Sequence, residues 1–510
     1  MQNRLGTYKN IILISLTYFV LRLVHLSIIP IFNDEAIYLD WGWRELHLPN
    51  ALFYSLYDGK QPFLMWVFGI AQGFISDPLI AGRLVSVCAG FMTLLGIYML
   101  AKKVFSNRIA QIASYVYIFI PIFSFFDRQA LMESALAAVG VWALYALLSL
   151  IEKHDFTYIW LLGLTLGIGF FIKATAGVFV VATVAVGYGM YAASGLKNYI
   201  QNKMLLFDIA MALILGCIVL LPLFSQHAYW NSLHMNGRYA YTLSEILHFP
   251  LLAWIHTLYV SGDISFWHVT PFFFILGIYG IYLVSKNATF QQKLLLAYFG
   301  ISVGLFILVS KYPSPRYILP FLPFAALFIA KAISNILDSY NVPGKVLICI
   351  SFTCASYFLF LQLCIPLRYF SLLEKVTAYS QKPEYVTSWT SGYGVKDAVD
   401  YIKNIQGPLL VGVRVDAGNP ENAIFSYLHS SKTHKPVYFD GKTMTSDISQ
   451  IDCLQVPLPL YFVSRGTQLA GLEKFLVEVK RFEKPEGDEF IGIYRIKAPC
   501  TGKTLKINLN

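Results

Sequence analysis

Long apolar runs separated by short polar segments fill the first two thirds of the chain. A helix needs about 20 apolar residues to cross the hydrocarbon core of a bilayer. The pattern therefore predicts an α-helical polytopic membrane protein with about eleven transmembrane helices. They are expected at residues 11–30, 80–101, 109–126, 131–151, 158–172, 176–193, 204–224, 269–285, 293–310, 316–334 and 345–366.

One further apolar run, at residues 62–75, is shorter than the others. It has 14 residues, begins with Pro62 and is rich in aromatic side chains. A run of this length spans a bilayer only with strain, so we expect it to lie in the membrane interface. The side of the membrane on which every later loop lies depends on this segment.

Basic residues in the loops favour one of the two topologies. If residues 62–75 do not cross, the loop lysines and arginines fall mostly on the side of the N-terminus, as the positive-inside rule favours. The N-terminus is then cytoplasmic, and residues 31–79, 225–268, 311–315 and the C-terminal tail lie outside. The supporting residues are Lys102, Lys103, Arg108, Lys153, Lys197, Lys203, Lys286, Lys293, Lys331 and Lys345.

The tail has a different pattern from the rest of the chain. Residues 395–405 have helical periodicity, and the runs at 409–415, 458–464 and 490–496 are typical of short strands. The tail is long enough to bury its own core. The pattern therefore predicts a soluble α/β domain after the last transmembrane helix.

The distribution of charge supports a division into two domains. Only 13% of the residues are charged, against about 25% in an ordinary soluble protein. Residues 1–366 contain 35 of the charged residues and residues 367–510 contain the other 33. We therefore expect a transmembrane domain over 1–366, with a first external loop at 31–79, and an extracytoplasmic α/β domain over 367–510.

The net charge of +10 does not indicate a nucleic-acid partner, because the basic residues occur singly or in pairs between apolar runs.

Of the seven cysteines, five lie in or beside apolar spans, where cysteine behaves as a small hydrophobe. Cys453 and Cys500 lie in the tail, and whether they pair in an oxidising compartment is left open.

Candidate chemistry begins directly after the first apolar run, at Asp34 and Glu35. Two adjacent carboxylates at a membrane boundary are costly unless water or a cation reaches them. The same external segment contains Lys60, and Arg83 opens the next span. This combination offers a general base and two cations suited to a phosphate, whereas the simpler interpretation of the acidic pair is a solvated loop.

Five motifs in a fixed order carry a resemblance to a known family. They are Asp34-Glu35 after the first helix, Gly59-Lys60-Gln61-Pro62 before an aromatic run, Ala81-Gly82-Arg83-Leu84 opening a helix that ends in Lys102-Lys103-Val104-Phe105, a glycine-rich helix at 167–173 that ends in Lys173, and Pro315-Arg316-Tyr317-Ile318-Leu319-Pro320. Over roughly residues 11–335 the chain resembles the GT-C glycosyltransferases. Within them it is most similar to the bacterial branch of the protein O-mannosyltransferase superfamily, which includes the lipid A aminoarabinose transferases.

The resemblance implies an inverting glycosyltransferase in the bacterial inner (plasma) membrane, surrounded by membrane lipids. It implies transfer of a sugar from a polyprenyl-phosphate donor to a lipid, glycan or protein acceptor at the outer face. Asp34 is then the predicted catalytic base, with Glu35 as a supporting carboxylate or metal ligand. Lys60, Arg83 and Arg316 are the predicted ligands of the donor phosphate.

Other residues have two open interpretations. Lys173 lies on the same side and either helps to bind the donor phosphate or snorkels to the interface. The family commonly has an acidic residue of the active cavity near Asp127 and Glu133, and either is a candidate. Asp127 alternatively pairs with Arg128. Tyr317, beside Arg316, is also assigned to the cavity.

The sequence identifies no cofactor and leaves a divalent metal possible. Residues 225–268 contain five of the ten histidines, but their spacing matches no metal template. Gly59 occupies the place where some relatives have an acidic metal ligand, so no metal-binding residue is assigned. Residues 225–268 and the C-terminal tail are expected to select the acceptor.

The main alternative function is a transporter or lipid flippase. Such carriers often contain internal repeats and helices broken near the membrane midplane. The sequence has no evident repeat, and its polar residues concentrate at one interface. A ligase for a lipid-linked glycan is a third interpretation, and the early Asp34-Glu35 pair argues against it. The identity of the sugar and of the acceptor stays open.

Overall fold

The computed structural model describes residues 2–193, 199–339, 342–415, 418–440, 459–469 and 476–496. A large helical body is followed by a small domain built on one sheet. The helices of the body are α1 (Gln2–Leu23), α2 (Asn33–His47), α3 (Phe63–Gln72), α4 (Pro78–Val104), α5 (Asn107–Phe119), α6 (Pro121–Phe126), α7 (Glu133–Lys153), α8 (Phe156–Ile172), α9 (Gly177–Ala193), α10 (Tyr199–Phe224), α11 (His227–Ser232), α12 (Leu243–Leu247), α13 (Leu251–Val269), α14 (Pro271–Lys286), α15 (Phe290–Val309), α16 (Pro315–Ile318), α17 (Pro323–Asp338), α18 (Val342–Cys364) and α19 (Pro366–Val376).

Five helices of the described residues are long and apolar enough to cross a membrane, namely α4, α7, α10, α15 and α18. Two bent pairs raise this number to seven if each pair is one span. The first pair is α13 with α14, bent by 114°, and the second is Pro315–Phe321 with α17, bent by 59°. The count of eleven therefore stays a prediction.

Prolines break two of the runs that we expected to be continuous. The run at 109–126 forms α5 and α6, because Pro121 has no N–H for the helix ladder and Ile120 before it is extended. The run at 316–334 is likewise divided, into α16, a short 3₁₀ helix at Leu319–Phe321 and α17. Apolar composition alone did not reveal these breaks.

The long segment at 225–268, which we expected to be an external loop, is helical in its second half. Residues 251–269 form α13, a 19-residue helix. Leu252, Ile255 and Tyr259 on this helix are exposed to the surroundings of the protein. An outward apolar face suits a helix in contact with lipid rather than a loop in water.

The run at 62–75 contains the ten-residue helix α3, which is too short to cross a bilayer. It packs directly on α2, backbone against backbone. A Cβ added to Gly42 of α2 would lie 2.3 Å from the carbonyl oxygen of Met65, and one on Gly69 would lie 2.2 Å from that of Gly42. Glycine at both positions therefore permits the close approach of the two helices.

The described residues of the C-terminal domain form a five-stranded sheet with the strand order β2-β1-β3-β5-β4. Strand β1 is parallel to β2 and β3, while β5 is antiparallel to β3 and β4. Its elements are α20 (Val395–Lys403), β1 (Leu409–Val415), α21 (Glu421–Leu428), β2 (His434–Asp440), β3 (Leu460–Arg465), β4 (Leu476–Glu483) and β5 (Phe490–Ile496).

Helix α20 and strands β1, β3 and β5 agree with the sequence prediction to within a few residues. We did not predict β2, which contains Pro436, or β4, which has mostly exposed side chains. Cys453 and Cys500 lie outside the described residues, so their pairing stays open.

The C-terminal domain docks on α2. Asp40 of α2 accepts hydrogen bonds from Asn422 Nδ2 at 2.6 Å and from the Tyr438 hydroxyl at 3.0 Å. Arg44, one turn further along α2, pairs with Asp40 at 2.8 Å and donates to the same hydroxyl. Helix α2 is therefore held between the two parts of the molecule, and its N-terminus lies at the site described next.

Candidate functional site

A cavity of about 530 Å³ lies between the N-terminus of α2, the turn after a short 3₁₀ helix at Tyr54–Asp58, and the ends of α8, α9, α15 and α16. It brings together residues that are far apart in the sequence. Five of the predicted site residues line it, namely Asp34, Lys60, Lys173, Arg316 and Tyr317.

Asp34 lies in the first turn of α2, where the helix dipole favours a negative charge. Its Oδ2 accepts a hydrogen bond from Arg316 Nη1 at 2.6 Å. Burial alone would raise the pKa of Asp34, but the Arg316 guanidinium, with a smaller contribution from Lys60, lowers it below its ordinary value. The carboxylate is therefore ionised at neutral pH and able to accept a proton.

Glu133, the first residue of α7, joins two of the cavity cations. Its Oε1 accepts hydrogen bonds from Lys173 Nζ at 2.7 Å and from Arg316 Nε at 3.3 Å. The Glu133 side chain is buried, whereas Lys173 and Arg316 keep 20% and 14% of theirs exposed. A continuous chain of ion pairs thus runs from Asp34 through Arg316 and Glu133 to Lys173.

Lys60 makes no ion pair within the part of the chain that the structure describes. It follows Gly59, which ends the 3₁₀ helix with φ of 74°. The Lys60 ammonium lies 5.0 Å from the centre of the Tyr239 ring. With three cations and two carboxylates, the cluster of Asp34, Lys60, Glu133, Lys173 and Arg316 has one positive charge in excess.

Glu35 and Arg83, two of the predicted site residues, do not line the cavity. Arg83 Nη2 donates to Glu35 Oε2 at 2.7 Å, and both side chains are at most 1% exposed. Arg83 Nη1 also donates to the carbonyls of Leu26 and Ile29. Glu35 Oε1 accepts from the Ala130 N–H. This pair ties α2 to α4 and to neighbouring loops, and it is buried away from the cavity.

Asp127 also lies outside the cavity. It does not pair with Arg128 but with Arg22 of α1, at 3.1 Å. Its oxygens accept further hydrogen bonds from Tyr117 and Ser134. Of the two acidic candidates in this region, Glu133 is therefore the one that joins the site.

The sequence did not indicate most of the remaining wall of the cavity. Tyr38 lies one turn after Asp34 on α2, so the helical spacing was a usable signal for it. Tyr239 and Arg238 come from a separate segment and had no such signal. Helices α9 and α15 supply an apolar wall, which consists of Val178, Val181, Leu305, Phe306 and Val309.

A metal site finds no support in the geometry. Within the described ranges, no group of three or more His, Cys, Asp or Glu side chains is placed to hold a metal ion. Asp34 and Glu133 are each engaged by cationic side chains, and His268 bonds to Gln381 and to the carbonyl of Ile264.

Residues 59–230 match the family model of the dolichyl-phosphate-mannose-protein mannosyltransferases. The matched segment contains Lys60, Glu133 and Lys173 but ends before Arg316. No curated protein sequence matches the chain.

Several solved structures have a similar fold. ArnT from Cupriavidus metallidurans in the apo state is 14% identical with a TM-score of 0.60, and the similarity covers 97% of this chain and 98% of that one. The structure of ArnT from the same organism bound to undecaprenyl phosphate is 14% identical with a TM-score of 0.53. The similarity covers 95% of this chain and 97% of that one. A third similar structure is the oligosaccharyltransferase AglB from Archaeoglobus fulgidus in complex with an inhibitory peptide and a dolichol-phosphate. It is 14% identical with a TM-score of 0.53, and the similarity covers 93% of this chain and 71% of that one.

These comparisons confirm the resemblance that the sequence motifs indicated. The chain is an integral membrane protein that resembles the GT-C glycosyltransferases in fold, with a small C-terminal sheet domain. The family model describes mannosyltransferases, and AglB is an oligosaccharyltransferase. At 14% identity the structural likeness establishes the fold, while the donor, the acceptor and the roles of the residues need their own arguments.

Proposed function

We propose that this protein is an inverting glycosyltransferase that moves a sugar from a polyprenyl-phosphate donor to a hydroxyl of a lipid, glycan or protein acceptor. The observation that carries the proposal is the cavity in which Asp34 lies beside three cations and an apolar wall. A base, an anion-binding group and a lipid-binding surface are the three elements that this reaction requires.

The charge of the cluster fits the donor. A sugar linked to a polyprenyl phosphate is a phosphodiester with one negative charge, and the cluster has one positive charge in excess. Lys60 is the first candidate to bind this phosphate because no carboxylate pairs with it among the described residues. Arg316 and Lys173 flank Tyr317, with their cationic groups 5.7 and 4.7 Å from its ring centre.

The polyprenyl chain has a complementary surface. Phe306 and Val309 of α15 face the same cavity as Val178 and Val181 of α9. Apolar side chains beside a cationic cluster suit a ligand with a charged head and a hydrocarbon tail. A carrier for small polar solutes would not require this combination. A lipid flippase would, but it needs no general base, so the ionised Asp34 beside the cations favours the transferase over the transporter or flippase.

The proposed reaction is a single displacement at the anomeric carbon. Asp34 accepts the proton of the acceptor hydroxyl, and the oxygen of that hydroxyl bonds to the anomeric carbon. The bond from that carbon to the phosphate oxygen breaks, and the electron pair leaves with the polyprenyl phosphate. Lys60 and Arg316 stabilise the second negative charge that develops on the leaving phosphate. Attack opposite the leaving group inverts the configuration.

We further propose that the reaction occurs at the outer face of a bacterial plasma membrane. This orientation rests on the basic loops, which favour a cytoplasmic N-terminus and an extracytoplasmic C-terminal domain. In this arrangement residues 1–366 form the membrane domain and residues 367–510 the external domain. The sheet domain contacts α2, which carries Asp34, so both lie on one side of the membrane.

The test is a deletion strain complemented with the native protein or with Asp34→Asn. Mass spectrometry of envelope lipids, glycans and proteins identifies the sugar that the deletion removes. Because the amide cannot accept the proton, Asp34→Asn should reduce its transfer by about 10²–10⁴-fold at unchanged protein level. Asp338→Asn, which alters an exposed ion pair with Arg108, is the matched control and should restore the product fully. A normal product in the Asp34→Asn strain would show that the proposed mechanism is wrong.

A further inference from the structure

A buried amide connects Asp34 to the C-terminal domain. Asn33, the residue before Asp34, is 6% exposed. Its Nδ2 donates to Asp34 Oδ1 at 3.3 Å, and its Oδ1 accepts from the backbone N–H of Asn419 at 3.0 Å. Because Asn419 occupies the acceptor end of the amide, the donor end faces the carboxylate. The two Asp34 oxygens are therefore held by different groups, one by Asn33 and the other by Arg316.

Asn419 is itself held in place. Its Nδ2 donates to the carbonyls of Ile31 and Thr390, at 3.1 and 3.0 Å. The Thr390 carbonyl also accepts the backbone N–H of Asn33 at 3.0 Å. The start of α2 is thus enclosed by two segments of the C-terminal domain, one on each side of the Asn33 amide.

Gly418 leaves the space that this contact needs. It has a φ of +62°, and a Cβ added to it would lie 1.8 Å from Asn33 Oδ1 and 2.2 Å from Asn33 Cγ. A real Cβ does not approach other atoms this closely, so any other residue at this position must displace the Asn33 amide. The C-terminal domain therefore contacts the site through a position where the bulk of a single methyl group decides the geometry.

We propose that Asn33 is a positioning residue for the catalytic carboxylate, and that the C-terminal domain orients it through Asn419 and Gly418. The inference rests on the proposed role of Asp34 as the base. It assigns a catalytic purpose to the docking of the sheet domain, in addition to any part in acceptor binding. A small displacement of a catalytic group reduces turnover far more than it reduces binding of the donor.

The first experiment compares Gly418→Ala with Gly407→Ala in the full-length protein in lipid nanodiscs. Gly407 is a matched control because it lies in the same domain, has a φ of +85° and has no atom within 4 Å of an added Cβ. Both variants carry the backbone strain of alanine at positive φ, but only Gly418→Ala displaces Asn33. The probe is the undecaprenyl-phosphate-linked form of the sugar that the deletion strain lacks, with lipids and glycans from that strain as acceptors.

We expect Gly418→Ala to lower kcat by about tenfold or more, with the KM of the donor unchanged and Gly407→Ala close to the native protein. The inference is overturned if the two glycine variants have the same kcat. Thermal unfolding of both variants identifies a general loss of structure.

A second variant keeps the test decisive if Gly418→Ala does not fold. Asn33→Asp preserves the acceptor for the Asn419 N–H but replaces the donor to Asp34 with a negative charge. The Asn33 hydrogen bond is one of the interactions that hold the pKa of Asp34 down, so its loss should raise that pKa. The base is then protonated at a higher pH, and the acidic limb of the kcat profile should move to higher pH.

The outcomes separate the two proposals. An active Asp34→Asn protein shows that the proposed function assigns the wrong base. An inactive Asp34→Asn protein, with an unchanged acidic limb in Asn33→Asp, shows that Asp34 is the base but that Asn33 does not position it. An inactive Asp34→Asn protein with a shifted limb supports both.

Discussion

The adjacent residues Asp34 and Glu35 belong to two different groups of paired charges, and the two groups differ in their access to a ligand. In the first, Glu35 and Arg83 are at most 1% exposed, and Arg83 also donates to backbone carbonyls. In the second, Asp34 and Arg316 are 26% and 14% exposed and line a cavity beside Lys60. Oppositely charged side chains therefore brace the fold where their hydrogen bonds are internal, and they stay open to a ligand where they line a cavity.

The largest expected effect comes from breaking the structural pair. Arg83→Met removes the partner of Glu35 and leaves a buried carboxylate without its cation. We expect a loss of about 3–5 kcal/mol in the free energy of unfolding. Thermal unfolding of the purified protein in detergent measures it. The comparison fails if Arg83→Met retains native stability and loses donor binding, because Arg83 would then act as a phosphate ligand.

The corresponding change in the cavity should affect binding and leave stability intact. Lys60→Ala removes a partly exposed cation that has no ion pair within the described chain. We expect the KM for the donor to rise by about 10–100-fold, since a charge-assisted hydrogen bond to phosphate contributes about 1.5–3 kcal/mol. Titration with undecaprenyl phosphate provides a direct measure of affinity. An unchanged affinity would transfer the phosphate-binding role to Arg316 and Lys173.

Glu45 sharpens the comparison because it is a buried carboxyl with no cationic partner in the described part of the chain. It lies on α2, and its Oε1 accepts the backbone N–H of Ser55. Burial raises the pKa of Glu45 to about 8. The folded protein therefore holds a proton that the unfolded chain loses above about pH 4.3, so this group makes stability fall as the pH rises from about 4 to 8.

Glu45→Gln removes this titration. At pH 8 the variant should be more stable than the native protein by about 4 kcal/mol, and the difference should disappear near pH 4. Thermal unfolding across this pH range measures the effect. A native protein whose stability does not depend on pH in this range would show that Glu45 is ionised in the folded state.

How far the sequence predicts the site depends on the distance between partners along the chain. The Asp34-Glu35 motif stands out in the sequence, because two acidic residues beside an apolar run are rare and costly. The different partners of Asp34 and Glu35 could not be predicted from the sequence. Asp34 pairs with a residue 282 positions away and Glu35 with one 48 positions away, and nothing in the local sequence separates these choices.

The sequence by itself determined the membrane character of the body, the separate C-terminal domain, and the candidates for the site. These features depend on composition and on periodicity over about 20 residues, which a chain displays before it folds. Only the tertiary structure decided that Glu133 rather than Asp127 pairs with the cavity cations, that Arg83 is buried against Glu35, and that Asn419 contacts Asn33. Those outcomes depend on which side chains remain accessible once helices and sheet have packed, and accessibility is a property of the folded chain alone.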